Sequence, residues 1–245
     1  MSTFKQYGRT SLSALCVNAI AFALLPGVTA QTRATSSEKV VEFQGIQSRA
    51  DAVMITKVTV GDSEVQCGLV VVPNKVQPIT PFQAGSDWLE KMSISLFNRT
   101  NRKIVFAEVD LEFPESGDGI SWPVRIYPMR LGRLPQVVAF TGRTGQPIAQ
   151  DPALKPIAFM PGPTLVIHVG EFIDGVRESL ADLMPFAEVR KCLIRIGPFY
   201  FEDGMRWDSG GFAVPDPERR GRFMRLDDDY FPGNTLLNWP AGYRY

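Results

Sequence analysis

The sequence predicts an all-β domain built as an antiparallel β-sandwich. Three observations carry that expectation. Apolar residues recur with a period of two over most of the chain, the pattern of strands with one buried face. Turn residues separate these runs at short intervals, with 21 Gly and 19 Pro among 245 residues leaving little room for long helices. Hydrophobic residues make up 44% and charged residues 21%, enough apolar surface for a sizeable core and too much for general disorder.

The first run is Met54, Thr56, Val58 and Val60, alternating with Ile55, Lys57 and Thr59. Gly61-Asp62 supplies a turn, and Val65, Cys67, Leu69 and Val71 share one face of a second strand ending at Pro73-Asn74. Met92, Ile94 and Leu96 then alternate with Lys91, Ser93 and Ser95, and Asn98-Arg99-Thr100-Asn101 has turn chemistry. Val105, Ala107, Val109, Leu111 and Phe113 follow on one face, with Glu108, Asp110 and Glu112 on the other, so the two runs read as a hairpin wetted on one side. Residues 122–127, 136–140 and 164–169 are further short strands. Ile173, Val176, Leu180, Leu183, Met184 and Ala187 break the pattern with helical spacing. They predict one amphipathic helix of about three turns, capped by Asp174 and stopped by Pro185. Cys192, Ile194 and Ile196 return to period two, Gly197-Pro198 marks a bulge, and a second hairpin turns at Glu202-Asp203-Gly204.

The segment from Ile94 to Phe113, ISLFNRTNRKIVFAEVDLEF, resembles the second and third strands of bacterial immunoglobulin-like exported modules. The short helix before the strand of Cys192 is similar to the connection entering the penultimate strand of that fold. The resemblance covers about residues 53–212. It implies an immunoglobulin-like sandwich with one short amphipathic helix, and it carries no function.

The ends of the chain read differently. Lys5 and Arg9 precede an apolar run of about 14 residues from Leu12 to Leu25, then Pro26-Gly27, then small residues at Val28 and Ala30. This is the three-part design of a secretory signal, and the run is too short for a ~20-residue membrane span. The expected organisation is therefore a signal over residues 1–30, a flexible leader over 31–50, the sandwich over 51–212, and an irregular C-terminal extension over 213–245 packed upon it. Removing the signal takes away Lys5, Arg9 and Cys16, leaving 24 basic and 26 acidic residues. Such a balance gives no electrostatic reason to bind nucleic acid or an anionic membrane. Cys67 and Cys192 remain, and export to an oxidising compartment, periplasmic or extracellular, predicts one disulfide between them.

Candidate chemistry is sparse. His168 is the only histidine; on its strand it points away from Leu165, Ile167 and Val169. It is the one candidate base for a secreted hydrolase. Gly61-Asp62-Ser63 resembles the nucleophile block of Gly-Asp-Ser lipases and esterases, but Leu165 stands where that family has its Asp three residues before the catalytic His. A Gly-Asp turn explains the same residues. Asp227-Asp228-Asp229 lacks the spacing of a calcium loop, and Glu108 with Asp110 fits an ordinary wet strand face as well as a glycosidase pair. No metal, cofactor or phosphate loop is indicated. Asn98-Arg99-Thr100 is a glycosylation sequon in a eukaryotic secretory path. Trp88, Trp122 and Trp207, with Tyr200, are the candidate ligand contacts, as an aromatic platform for a sugar or a groove for a peptide. The function expected is a non-catalytic binding or assembly module, with a protein or glycan of the cell envelope as its partner. It would work through exposed aromatics or sheet-edge pairing. A carbohydrate-binding module and a hydrolase using His168 are the alternatives.

Overall fold

The computed structural model describes residues 36–44, 51–66, 68–70, 80–117, 124–140, 144–208 and 211–227. The chain divides into two units, Met1–Arg33 and Ala34–Tyr245, and every described residue belongs to the second. The expected signal, Cys67, Trp122 and Asp228-Asp229 lie outside the described residues.

The domain is all-β, with two sheets and one short helix. Its elements are β1 (Ser37–Gln44), β2 (Val53–Val60), β3 (Ser63–Glu64), β4 (Gly68–Val70), β5 (Phe82–Ala84), β6 (Met92–Asn98), β7 (Ile104–Phe113), β8 (Arg125–Gly132), β9 (Thr164–His168), α1 (Ile173–Leu180), β10 (Lys191–Phe201), β11 (Arg206–Asp208), β12 (Gly211–Pro215) and β13 (Phe223–Arg225). Nine strands form the large sheet around β10, which pairs β7 along one edge and shares its other edge between β1 and β11. β8 extends the sheet beyond β7, β12 and β13 beyond β11, and β4 and β5 beyond β1. The small sheet has the order β3-β2-β6-β9 and is antiparallel throughout.

One core joins the sheets. Val53, Ile55, Val58, Met92, Ile94, Leu96 and Ile167 belong to the small sheet, and Val41, Val109, Leu111, Phe113, Ile194, Phe199 and Phe201 to the large one. All are buried in a single hydrophobic cluster. Excluding that much apolar surface from water is the main force holding the layers together, at roughly 25 cal/mol per Å².

Several expectations change in the fold. β6 and β7 do not form a hairpin. β6 pairs β2 and β9 in the small sheet, whereas β7 pairs β10 and β8 in the large one, so the turn between them is an arch from one layer to the other. Apolar faces on both runs are equally satisfied by facing each other across a core. Asn98 holds this arch. Its Nδ2 donates to Arg102 O (2.8 Å) and Phe159 O (3.1 Å), and its Oδ1 accepts from Thr100 N (3.0 Å) and Thr100 Oγ1 (2.7 Å). All four hydrogen-bonding positions of the amide are used and the residue is fully buried, so in the folded domain the sequon is a structural brace with no free amide.

The expected second strand from Val65 to Val71 is split. β3 pairs β2 for two residues, and the chain then joins the large sheet as β4 beside β1. The flexible leader is corrected over Ser37–Gln44, which is β1, an interior strand parallel to both β10 and β4. Lys39 and Glu42 disguise it in sequence. Both are buried: Lys39 Nζ donates to Val189 O (2.7 Å), and Glu42 Oε1 pairs with Lys191 Nζ (2.8 Å). Burial pushes the Lys39 ammonium pKa down, with Glu115 opposing the shift and Arg190 adding to it.

The expected strand at 136–140 is a 3-10 turn, Gln136–Val138, entered from Pro135. α1 is eight residues, not three turns, and Asp174 does not cap it; Asp174 pairs instead with Arg177 at 3.4 Å. The bulge at Gly197-Pro198 is present, as a register shift between Ile196 and Phe199 that keeps both inward. β12 and β13 bring the start of the C-terminal extension into the large sheet, where irregular chain was expected.

Candidate functional site

The outer face of the large sheet collects charge in rows set by register. Asp110 lies opposite Arg195 on β10 and Pro128 on β8, Glu108 opposite Arg130, and Glu112 opposite Leu193 and Ile126. Arg130 Nε donates to Glu108 (2.7 Å) and Arg195 Nη2 to Glu112 (2.7 Å), so the carboxylates flanking Asp110 are each paired. Burial raises the Asp110 pKa, and the neighbouring Glu108 carboxylate raises it further against the pull of Arg195 and Arg130. Ionised Asp110 is thus harder to hold in the fold than in the unfolded chain. The penalty is present at neutral pH and disappears as pH falls through the raised pKa toward the ordinary 3.8. Asp110→Asn is therefore expected to raise Tm at pH 7, with the difference from wild type shrinking toward pH 4. Thermal melts across that range check it, and a difference that grows on acidification contradicts the assignment.

Beside this row a groove of about 570 Å³ opens, lined among others by Phe106, Tyr127, Arg130, Phe172, Pro198 and Tyr200. Tyr200 stands edge-on to Phe106 (5.7 Å) and to Phe223 (6.0 Å). The other aromatic candidates do not join it. Trp88 is 1% exposed and donates its indole N–H to Val189 O (3.1 Å). Trp207 is 3% exposed and packs on Phe199 at 6.0 Å. Neither presents a ring face to a ligand, so the expected platform reduces to Tyr200 among the described residues. Trp207 takes the inward position of β11, and Trp88 is buried from the turn that precedes β6. Cys192 is also buried, on the inner face of β10, with Sγ 3.8 Å from Leu193 O; its expected bridge falls to Cys67, outside the described residues.

His168 lies on β9, exposed on the outer face of the small sheet, as its alternation predicts. It stands directly opposite Ser93 of β6, and Ser93 Oγ lies 2.9 Å from His168 Nδ1. A hydroxyl is therefore within reach, a pairing that no local sequence signal contained because it depends on register. Among the described residues no carboxylate bonds the ring, and the pair sits on an open sheet face. A base and nucleophile there have neither an orienting acid nor a cavity that excludes water. Among the described residues no group of three or more His, Cys, Asp or Glu is placed to hold a metal ion.

The distinctive feature of this region is the free edge of β9. An unpaired edge presents a row of N–H and C=O groups that can template another strand, and proteins ordinarily obstruct such edges with charge, proline, bulges or short length. The other edges among the described residues are obstructed. β8 carries Arg125, Pro128 and Arg130; β2 carries Lys57 and a register shift; β3, β4, β5 and β13 are two or three residues long. β9 has five residues, Thr-Leu-Val-Ile-His, with no Lys, Arg, Asp, Glu or Pro, and pairs β6 without a register shift. Among the described residues nothing pairs its other edge. Val166, at its centre, is 43% exposed, and Ile167 beside it is buried in the core. The strand is thus anchored by one face and one edge and, among the described residues, open along the other edge. No helix among the described residues is long and apolar enough to cross a membrane. No protein-family model, no curated protein and no solved structure matches the chain.

Proposed function

We propose that this is an exported, non-catalytic binding or assembly module that takes a partner strand onto the free edge of β9. The observation that supports it is the contrast between β9 and every other described sheet edge: it alone has length, β-propensity and no blocking residue. Strand addition gains main-chain hydrogen bonds along the edge, and the exposed Val166 adds apolar contact. Export rests on the secretory pattern of residues 1–30, and the partner class is a component of the cell envelope. The immunoglobulin-like character belongs to this proposal at the level of architecture: two sheets on one core. The connection differs from immunoglobulin domains, because β7 lies between its own successor β8 and β10, and β1 runs parallel to β10 and β4. A carbohydrate-binding role draws less support, with Trp88 and Trp207 inside the core.

Val166→Lys tests the reading, because a lysine at the centre of an edge strand obstructs pairing. The mature protein is compared with the variant in native extracts by sedimentation. The expected result is that wild type travels in an assembly and the lysine variant is released from it, while Val166→Thr, which keeps the β-branch, stays. Equal sedimentation of all three overturns edge pairing.

A further inference from the structure

β9 is matched to itself. Directly opposed residues of an antiparallel pair lie on the same face. A two-fold axis through Val166 sets Val166 against Val166 of a second copy, Leu165 against Ile167, and Thr164 against His168. On the outer face the exposed Val166 then meets its own copy, and the hydroxyl of Thr164 meets an imidazole whose Nδ1 is already within bonding distance of Ser93 Oγ. On the inner face Leu165 and Ile167 extend the apolar row of the core. Polar residues oppose polar ones, apolar oppose apolar, and no Asp, Glu, Lys or Arg stands in the ladder. Moving the axis to residue 165 brings Pro163, with no N–H, opposite Ile167; moving it to 167 sets Val166 against His168 and runs Leu165 into Val169, where the strand has ended. The axis at 166 uses all five residues.

We propose that the strand taken by the β9 edge is β9 of a second copy, giving a two-fold dimer in which two four-stranded sheets become one of eight strands. This rests on the edge reading above. The mixed polar and apolar order of Thr164–His168 reads the same from either end, the property a self-pairing antiparallel strand requires. Such a contact is closed, so it makes dimers and not fibres.

Single-cysteine variants of the mature chain test it, with wild type run alongside to account for its own cysteines. Opposed Cα atoms in an antiparallel pair lie about 4.5–5.5 Å apart, inside the roughly 4.4–6.8 Å span of a disulfide. Val166→Cys is therefore expected to give covalent dimers on mild oxidation. Thr164→Cys mixed with His168→Cys is expected to give mixed dimers. Thr164→Cys alone is not, because its copy lies four residues along the ladder, about 13 Å away. Val166→Lys should keep the wild-type circular dichroism and weaken self-association about tenfold, since two lysines would stand directly opposite each other. A monomeric wild type that carries a different protein on residue 166 in cell extracts overturns the dimer and leaves edge pairing standing. A monomer with nothing on residue 166 overturns both, and equal oxidation of every cysteine variant overturns the register.

Discussion

Asn98→Asp is expected to unfold the domain or to leave it close to unfolding. The change is nearly isosteric, yet it reverses the hydrogen bonding of half the side chain. Oδ1 can still accept from Thr100 N and Oγ1, but a carboxylate oxygen replaces Nδ2, 2.8 Å from Arg102 O and 3.1 Å from Phe159 O. Two carbonyl dipoles would point at a buried negative charge. Breaking a buried network in this way costs about 3–5 kcal/mol, a large part of a domain's stability. Asn98→Ala removes the four bonds without adding the charge and should cost about 2–3 kcal/mol. Urea denaturation followed by circular dichroism orders the three proteins. Acidification should recover part of the aspartate variant's loss by restoring a proton to donate. If Asn98→Asp is no worse than Asn98→Ala, the described donor and acceptor pattern of the arch is wrong.

The second large effect is expected at Gly132, where β8 ends. Its φ is +81°, and a Cβ there would lie 2.0 Å from Val105 O and 2.7 Å from Ile157 Cγ1. That carbonyl accepts the backbone N–H of Arg133 (3.2 Å), so the methyl of alanine would push into the bond that closes the β7–β8 pair. Strain in the left-handed region and displacement of backbone together make Gly132→Ala cost about 2–5 kcal/mol. Gly61 is the internal comparison. It too has positive φ, +59°, but nothing lies within 4 Å of an added Cβ, so Gly61→Ala should cost only about 1 kcal/mol. The difference in denaturation midpoint between the two variants separates steric clash from conformational preference. Equal losses at the two sites would contradict the close approach at Gly132.

How legible the fold was in the sequence depended on the range of the interactions involved. The faces of β6, β7 and β10 could be read because alternation is a local property: Met92, Ile94, Leu96, Val109, Leu111 and Ile194 are buried as their period predicts. Partners could not be read, because alternation does not say which strand lies beside which. That is why the run through Asn98 read as a hairpin and folds as an arch. β1 was hidden for the same reason. Its Lys39 and Glu42 look solvated in sequence, and groups far along the chain make their burial tolerable: Val189, Trp88 and Glu115 for the ammonium, and Lys191 for the carboxylate. The candidate site shows the same division. The outward direction of His168 was legible; its neighbour Ser93 was not, and neither was the free edge, since an edge is defined by what does not pair with it. Trp88 and Trp207 looked like surface candidates because composition does not say whether an aromatic at a turn or on a short strand faces the core.

The measurement that bears most directly on the role of β9 is a photo-crosslinking scan in the native envelope or secretion fraction. A photoreactive residue is placed in turn at Val166 on β9, Ile126 on β8, Met224 on β13 and Val137 within the Gln136–Val138 turn, all exposed apolar positions of this domain. One dominant adduct is expected from residue 166, lost when the neighbouring edge is obstructed by Thr164→Pro, with little from the other three. Adducts that come equally from all four positions, or from 126, 224 or 137 and not from 166, would contradict it.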